Sequence, residues 1–402
     1  MSIDGMDTHA AAPAWQAMAR FERVDFLVPD DVVYLNAASH GPRLARVQQA
    51  ARRALDAGTT PWRLDMDAWH ASIEDVRRGA AGHLDGDADG IALVPSVAYG
   101  LSLAARNLPL AADETVLVLA GQFPSNLLPW QQRCRDVGAR LEQVARPVDA
   151  DGRPGDWSDA VVDAIARAPH LRIAALPQVH WHDGSRLDLD RIAAATHARG
   201  AALVLDLSQS LGALPADIVR WRPDFVASVG HKWLLGAYGL AYLWASPAWR
   251  ERGVALEQHW IAREAATVFD SPPSPPPLAR GARRFDAGGV AEPQRLAMSA
   301  AAFSQLRDWG LERVHAGLQA RGRCLREALR AQGLGEWLAA APGAHFLGLR
   351  PPPERLAGAA AALDRAGVIH TARGSVLRLA PHLHVDDAAL AAVAALLARS
   401  GG

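Results

Sequence analysis

The chain has 402 residues, with 42 Lys+Arg against 43 Asp+Glu and a formal net charge of −1. That balance gives no broad basic footprint for nucleic acid and no polybasic face for an anionic membrane. Hydrophobic residues make up 50% and charged residues 21%, which is globular composition rather than disorder. Two cysteines, Cys134 and Cys324, exclude a disulfide scaffold and a Cys-rich zinc module. The N-terminal stretch MSIDGMDTHAAAPAWQ has no basic region followed by an apolar core, and no apolar run approaches the ~18 residues of a spanning helix. A soluble chain in a reducing, cytoplasmic compartment is the expectation.

In chain order, the first periodic segments are two amphipathic helices, Arg43–Ala57 and Ala68–His83. Short runs rich in Val, Leu and Ile then recur at Ile91–Val94, Val116–Leu119, Leu171–Leu176, Ala201–Leu205, Phe225–Val229 and Leu240–Trp244. They are too short for helices and read as buried parallel strands joined by helical crossovers. An open, mostly parallel α/β sheet follows from that rhythm. It breaks at Asp270–Leu278, DSPPSPPPL, which is loop because proline removes the backbone donor and fixes φ. Long helices are predicted at Pro293–Trp309 and Leu311–Gln332. A strand at Ala344–Leu349, a helix at Glu354–Ala366, a strand at Val376–Leu379 and a last helix at Asp386–Arg399 complete the chain. The expected division is an N-terminal segment (1–45) packing with a small domain, a large α/β domain (46–265) and a small α+β C-terminal domain (266–402).

The most informative stretch lies between Ala202 and Trp244. One strand ends in Asp206, followed by a polar turn with Ser208, Gln209 and Ser210. The strand Phe225–Val229 runs into Gly230-His231-Lys232. One crossover separates the acid from the amine, so both fall at carboxyl ends of strands, where open α/β sheets bind ligands. A lysine and an aspartate so placed suit pyridoxal phosphate. The amine forms a Schiff base with the aldehyde, and the carboxylate keeps the pyridine nitrogen protonated so that the ring accepts electrons. Lys232 is the only lysine in the chain, and its place between a histidine and a tryptophan is unlike that of a surface decoration.

These residues resemble the class V aminotransferase family of fold-type I pyridoxal-phosphate enzymes. That group includes cysteine desulfurases, selenocysteine lyases, kynureninases and isopenicillin N epimerase-like proteins. Asp206-x-x-Gln209 and His231-Lys232 match its cofactor motifs, and the resemblance runs from Tyr34 to the last helix. It implies a large domain with a mostly parallel sheet, a smaller α+β C-terminal domain and a homodimer with its cofactor sites at the subunit interface.

The resemblance also assigns roles residue by residue. In YLNAASHGP (Tyr34–Pro42), Asn36 and His40 face the substrate, or form a capped turn before the next helix. In VPSVAYGL, Ser96 and the Val97 amide hold the phosphate at a helix N-terminus, or Ser96 is an ordinary N-cap. In GQFPSNLLPW, Phe123 stacks on the pyridine ring, or packs in the core, and Asn126 lies near a cofactor oxygen. Trp181, in QVHWHDG, is a substrate-side residue near the asparagine that desulfurases hydrogen-bond to the ring hydroxyl, a place it reaches with its one N–H donor. His180 and His182 flank it without the acid or thiol partners of a zinc site, so no metal is expected. Ser228 and His231 are phosphate ligands from the lysine turn. In RRFDAGG (Arg283–Gly289), Gly289 reaches the partner subunit's cofactor phosphate through its backbone amide. In VLRLAPHLH, Arg378 grips the substrate α-carboxylate with two parallel hydrogen bonds.

The stretch IHTARGSVLR before Arg378 has no cysteine, so a persulfide-forming desulfurase is disfavoured. The tail and the FPSN segment lean slightly toward kynureninase. The expected activity is a transaminase or Cβ-lyase acting on an α-amino acid, with Lys232 as general base. An amino-acid epimerase and a non-catalytic pyridoxal-phosphate-binding protein are the alternatives. Trp130, Trp181, Trp233 and Trp260 hint at an apolar substrate side chain, or are core and interface packing.

Overall fold

The computed structural model describes residues 23–148, 150, 152–264, 276–339, 343 and 345–400. Its strands are β1 (Val33–Tyr34), β2 (Ile91–Val94), β3 (Thr115–Leu119), β4 (Arg140–Val144), β5 (Leu171–Pro177), β6 (Ala202–Asp206), β7 (Phe225–Val229) and β8 (Ala241–Ala245), followed by β9 (Leu347–Leu349), β10 (Val368–Ile369), β11 (Thr371–Arg373) and β12 (Val376–Leu379). The helices are α1 (Ala45–Ala57), α2 (Met66–Ala81), α3 (Val97–Asn107), α4 (Leu128–Val137), α5 (Trp157–Arg167), α6 (Leu189–Ala198), α7 (Ile218–Trp221) and α8 (Pro247–Arg252), then α9 (Pro293–Trp309), α10 (Leu311–Ala331), α11 (Pro353–Arg365) and α12 (Asp387–Arg399). Most of the proline-rich segment, and Ala344 of the predicted strand, lie outside the described residues.

Seven strands form one sheet in the order β2-β8-β7-β6-β5-β3-β4. All neighbours are parallel except β8, which runs antiparallel to both β2 and β7. The central strands are buried on both faces because side chains alternate into two separate cores. Leu117, Leu119, Leu203 and Leu205 pack on one side. Val116, Val118, Val204 and Phe225 pack on the other.

Helix starts follow local chemistry. The carboxylates of Asp65, Asp156, Asp188 and Asp386 accept from first-turn amides of α2, α5, α6 and α12, satisfying donors that have no partner inside the helix. Gly310, at φ +83°, breaks α9 from α10.

A second layer pairs β11, β12 and β9 antiparallel under α10, α11 and α12, with a core of Leu325, Leu329, Leu363, Leu377 and Leu390. The N-terminal strand β1 pairs parallel with β10, and Asn36 continues that path in a bridge to Ala380. Leu296, Phe303 and Leu306 of α9 and Val314 of α10 belong to the core of the large sheet, so these helices join the two layers. The edge strand β2 is clamped by a buried ion pair. Arg77 Nη2 donates to Asp286 Oδ2 at 2.7 Å, Arg77 Nη1 donates to the Ile91 carbonyl at 2.6 Å, and Asp286 Oδ1 accepts from the Leu93 amide at 2.7 Å.

Candidate active site

Strands β3, β5, β6 and β7 all end on the same edge of the sheet because they are parallel. The turns that follow deliver Phe123, Trp181, Asp206 and Lys232 to one cavity of about 350 Å³. The N-terminus of α3, the segment Ala38–His40, and Arg373 and Arg378 of the β11–β12 hairpin complete the lining.

Lys232 is half-buried, with its Nζ 5.6 Å from the Phe123 ring centroid. Burial brings its ammonium pKa down to about 8, helped by Arg378 and Arg373 and opposed by Asp206. Asp206 is buried, and burial raises its pKa against the pull of Ser208 and Lys232. The Ser208 amide donates to Asp206 Oδ1 at 3.0 Å, an Asx turn that aims the carboxyl group.

The backbone of Lys232 is held from two sides. A Cβ on Gly41 would stand 2.2 Å from the Lys232 carbonyl oxygen, and one on Gly212 (φ +93°) would stand 2.6 Å from the Trp233 carbonyl oxygen. Only glycine permits these approaches. The Gly41 amide also donates to the His231 carbonyl at 2.8 Å.

Ser96 caps α3, its hydroxyl accepting from the Tyr99 amide at 3.1 Å, and Ser96 and Val97 line the cavity. The first-turn amides of α3 therefore offer an anion site there. His231 and His40 also line the cavity, with ring centroids 5.2 Å apart. Burial and Lys232 lower both their pKa values, His231 to about 3. Gln209 lines the cavity, but both ends of its amide are engaged. Nε2 donates to the Ala38 carbonyl at 2.8 Å, and Oε1 accepts from Trp233 Nε1 at 3.0 Å, so it ties the lysine turn to the N-terminal segment. Arg378 is 2% exposed. Its Nη1 donates to the Trp181 carbonyl at 2.8 Å and its Nη2 to Ser39 Oγ at 2.6 Å.

Several sequence expectations change in this geometry. Trp181 lines the cavity, but its Nε1 donates to the Gly121 carbonyl at 2.9 Å; that donor is spent, and the residue contributes its ring face. Asn126 is fully buried and accepts from Trp130 Nε1 at 3.1 Å, outside the cavity lining. Ser228 is buried outside the lining, on the opposite face of β7 from its neighbour Val229, which does line it. The Asn36 side chain accepts from Thr371 Oγ1 at 2.6 Å, tying the segment after β1 to β11, and Asn36 is not in the cavity lining. Gly289, expected to serve a partner subunit's site, is exposed at φ +74° and is not among the residues lining this cavity, which leaves that expectation as it was. The hint of an apolar substrate also weakens. Trp130 and Trp233 are core residues and Trp260 stacks on Trp69, leaving only Trp181 of the four in the lining.

Gln122, Ser125, Tyr238 and Arg373 line the cavity as well, and sequence reasoning passed over them. Gln122 and Ser125 flank the Phe123 assignment. Arg373 lies on the hairpin leading to Arg378, so the motif carried the only available signal.

Pyridoxal phosphate fits these residues. Lys232 offers an amine of lowered pKa, Asp206 a buried carboxyl group, and α3 an anion-binding N-terminus. Gln122 Nε2 and Arg378 Nε are buried donors without a protein partner among the described residues. Neither cysteine competes as a nucleophile. Cys134 is buried in α4 and its pKa is raised. Cys324 in α10 is pushed up to about 11, by burial first and by Asp387. No group of His, Cys, Asp or Glu among the described residues is arranged to hold a metal ion. Among them, too, no helix is long and apolar enough to cross a membrane.

Comparison with known proteins places the chain in a family. The sequence model of the family described as aminotransferase class-V matches residues 57–342. The chain is 28% identical to the uncharacterized aminotransferase YcbU of Bacillus subtilis, covering 79% of this chain and 81% of the relative. It is 30% identical to a kynureninase of Deinococcus radiodurans, covering 69% and 66%. Among solved structures, it superposes with a TM-score of 0.82 at 20% identity on a variant of C-DES with glycine covalently linked to its PLP cofactor, covering 94% of this chain and 99% of that one. A lysine and an aspartate on adjacent strand ends, a family match over most of the chain and the shared fold converge: the chain belongs to the class V aminotransferase family and is a pyridoxal-phosphate-dependent enzyme of fold type I.

Proposed function

We propose that the enzyme acts on an α-amino acid as a transaminase or a Cβ-lyase, with Lys232 as its base. The observation that carries this reading is the convergence of Lys232, Asp206 and Arg378 on one cavity. Pyridoxal phosphate, when bound, supplies the aldehyde that the lysine amine engages and a ring that accepts electrons from the substrate. Lys232, Asp206, Phe123, Ser96, the Val97 amide and His231 are the residues that would hold it.

The protein's own part is positioning and proton transfer. Arg378 binds the α-carboxylate with the donors left free by Trp181 and Ser39, and so fixes which bond at Cα is broken. Lys232 Nζ, neutral above about pH 8, takes the Cα proton and returns it to the product. Asp206 keeps positive charge on the group facing it through its buried carboxylate. A neutral His231 adds no further positive charge beside the amine. The lack of a cysteine in Ile369–Arg378 favours these activities over persulfide formation.

A homodimer is part of the proposal. Gly289 is exposed with open space around it, as suits an amide that serves a second copy's phosphate site.

The test is an absorption spectrum with added pyridoxal phosphate, followed by an amino-acid panel scored for keto acid, ammonia and racemised product. A visible band that shifts with an amino acid and yields keto acid or ammonia is expected, and Lys232→Ala should lack both. Racemisation alone would move the assignment to an epimerase, and full turnover by Lys232→Ala would overturn the reading.

A further inference from the structure

Arg373 binds nothing in the chemistry above and acts on Lys232 only through its charge, yet it lines the same cavity. In the β11–β12 hairpin Thr371 pairs with Arg378 and Arg373 with Val376. Directly paired residues share a face, as do residues two apart on a strand. Arg373 and Arg378 therefore stand on one face of the hairpin, diagonal to each other.

Their surroundings differ. Arg378 is deep and bonded to Trp181 and Ser39. Arg373 is half-buried, and its guanidinium lies over the Trp181 ring, 5.0 Å from the centroid. Among the described residues no carboxylate pairs with it and no acceptor takes its N–H groups. The acid near this end, Asp183, is already engaged by Arg146 and Arg350. The His182 ring nitrogen meets the Arg373 backbone carbonyl at 3.2 Å, which fixes the hairpin strand without using the side chain.

This end of the cavity therefore carries two guanidiniums beside Lys232, with no protein anion between them. A substrate with one carboxylate answers Arg378 and leaves the other fork uncompensated. Indole stacking holds that fork in place and leaves its N–H edge free.

We infer that Arg373 recognises an anionic substrate side chain, so that the amino acid taken is of the aspartate or glutamate type. This rests on the α-carboxylate being held by Arg378, as proposed above. The arrangement discriminates through the unpaired donor it would leave buried against a neutral side chain.

The experiment compares kcat/KM for L-aspartate and L-glutamate with that for L-alanine and L-norvaline, in the holoenzyme and in Arg373→Met and Arg373→Glu. Calorimetry of succinate and glutarate against butyrate on the same proteins gives a readout that needs no turnover. The wild type should prefer the anionic amino acids, and the dicarboxylates over butyrate, by roughly 10- to 100-fold. Arg373→Met should bring both ratios to within about threefold of unity, and Arg373→Glu should invert them in favour of neutral ligands. Three results would overturn the inference: no preference for anions in the wild type, equal loss for anionic and neutral ligands in Arg373→Met, or a loss of pyridoxal phosphate affinity in that variant, which would put the arginine on the cofactor's phosphate. A protein that shows no spectral response to any amino acid but still selects dicarboxylates would instead count against the proposed activity and leave the Arg373 site standing.

Discussion

At the scale of single residues, the site turns on the protonation of one amine. Burial lowers the Lys232 pKa to about 8, with Arg378 and Arg373 adding to the shift and Asp206 opposing it. Only the neutral amine attacks an aldehyde, and a lowered pKa makes that form available at lower pH. The rate of pyridoxal phosphate uptake by the apoprotein should therefore rise about tenfold per pH unit below 8 and level off above it. A rate still climbing at pH 10 would mean that the lysine has its ordinary pKa.

The residues that announced themselves in the sequence did so through chemistry that few other roles require. The sole lysine and the strand-end Asp206 are both in the cavity. Residues assigned by position in a motif fared unevenly, because a motif does not say which way a side chain turns. Asn126 faces Trp130, and Trp181 gives its one donor to Gly121. Arg373 was hidden for a different reason: arginine is the chain's common cation, and only the hairpin register separates it from a surface charge.

At the scale of elements, the buried strands were legible because a run of Val, Leu and Ile bounded by turn residues has few other places to go. Ile91–Val94 and Phe225–Val229 have the same limits in sequence and structure. β4 was missed because Arg140–Val144 is a polar edge strand, RLEQV, without the apolar run. The reversed direction of β8 also escaped, since pattern gives the strand and not its sense. The turn from Gly230 to Leu240 that returns the chain as β8 carries Lys232, Trp233 and Leu235, the last at φ +57°. This turn is braced by Gly41. Gly41→Ala should push the Lys232 carbonyl away, destabilise the fold by about 1–3 kcal/mol through overpacking, and weaken pyridoxal phosphate binding at least about tenfold. Thermal unfolding and a cofactor titration check both. An alanine variant with unchanged affinity would mean that the lysine turn tolerates displacement.

At the scale of the whole molecule, several histidines are held neutral by their surroundings, and two of them pack on Trp233. His345 lies edge-on to Trp233 at 4.1 Å and His382 stacks on it at 5.8 Å. Burial lowers His83, His180 and His345 to about 3 and His384 to about 4, and puts His382 well below its usual range. Each is neutral in the fold and takes up a proton on unfolding below about pH 6.5. Stability is therefore full above that pH and falls as acid approaches the folded values, by up to about 1.4 kcal/mol per pH unit for each group. The unfolding midpoint in urea should drop steadily from pH 7 to pH 5. A midpoint flat over that range would show that these rings are hydrated or already paired.

That Lys232 carries the cofactor can be tested directly because of the chain's composition. The chain has one lysine, so a reduced pyridoxyl adduct can form only there or at the N-terminal amine. The measurement is borohydride reduction of the holoenzyme, followed by peptide mass mapping. A stoichiometric phosphopyridoxyl adduct is expected on the peptide containing His231-Lys232-Trp233, and none on Lys232→Ala. An unmodified Lys232 peptide from a fully reduced, cofactor-saturated sample would contradict it.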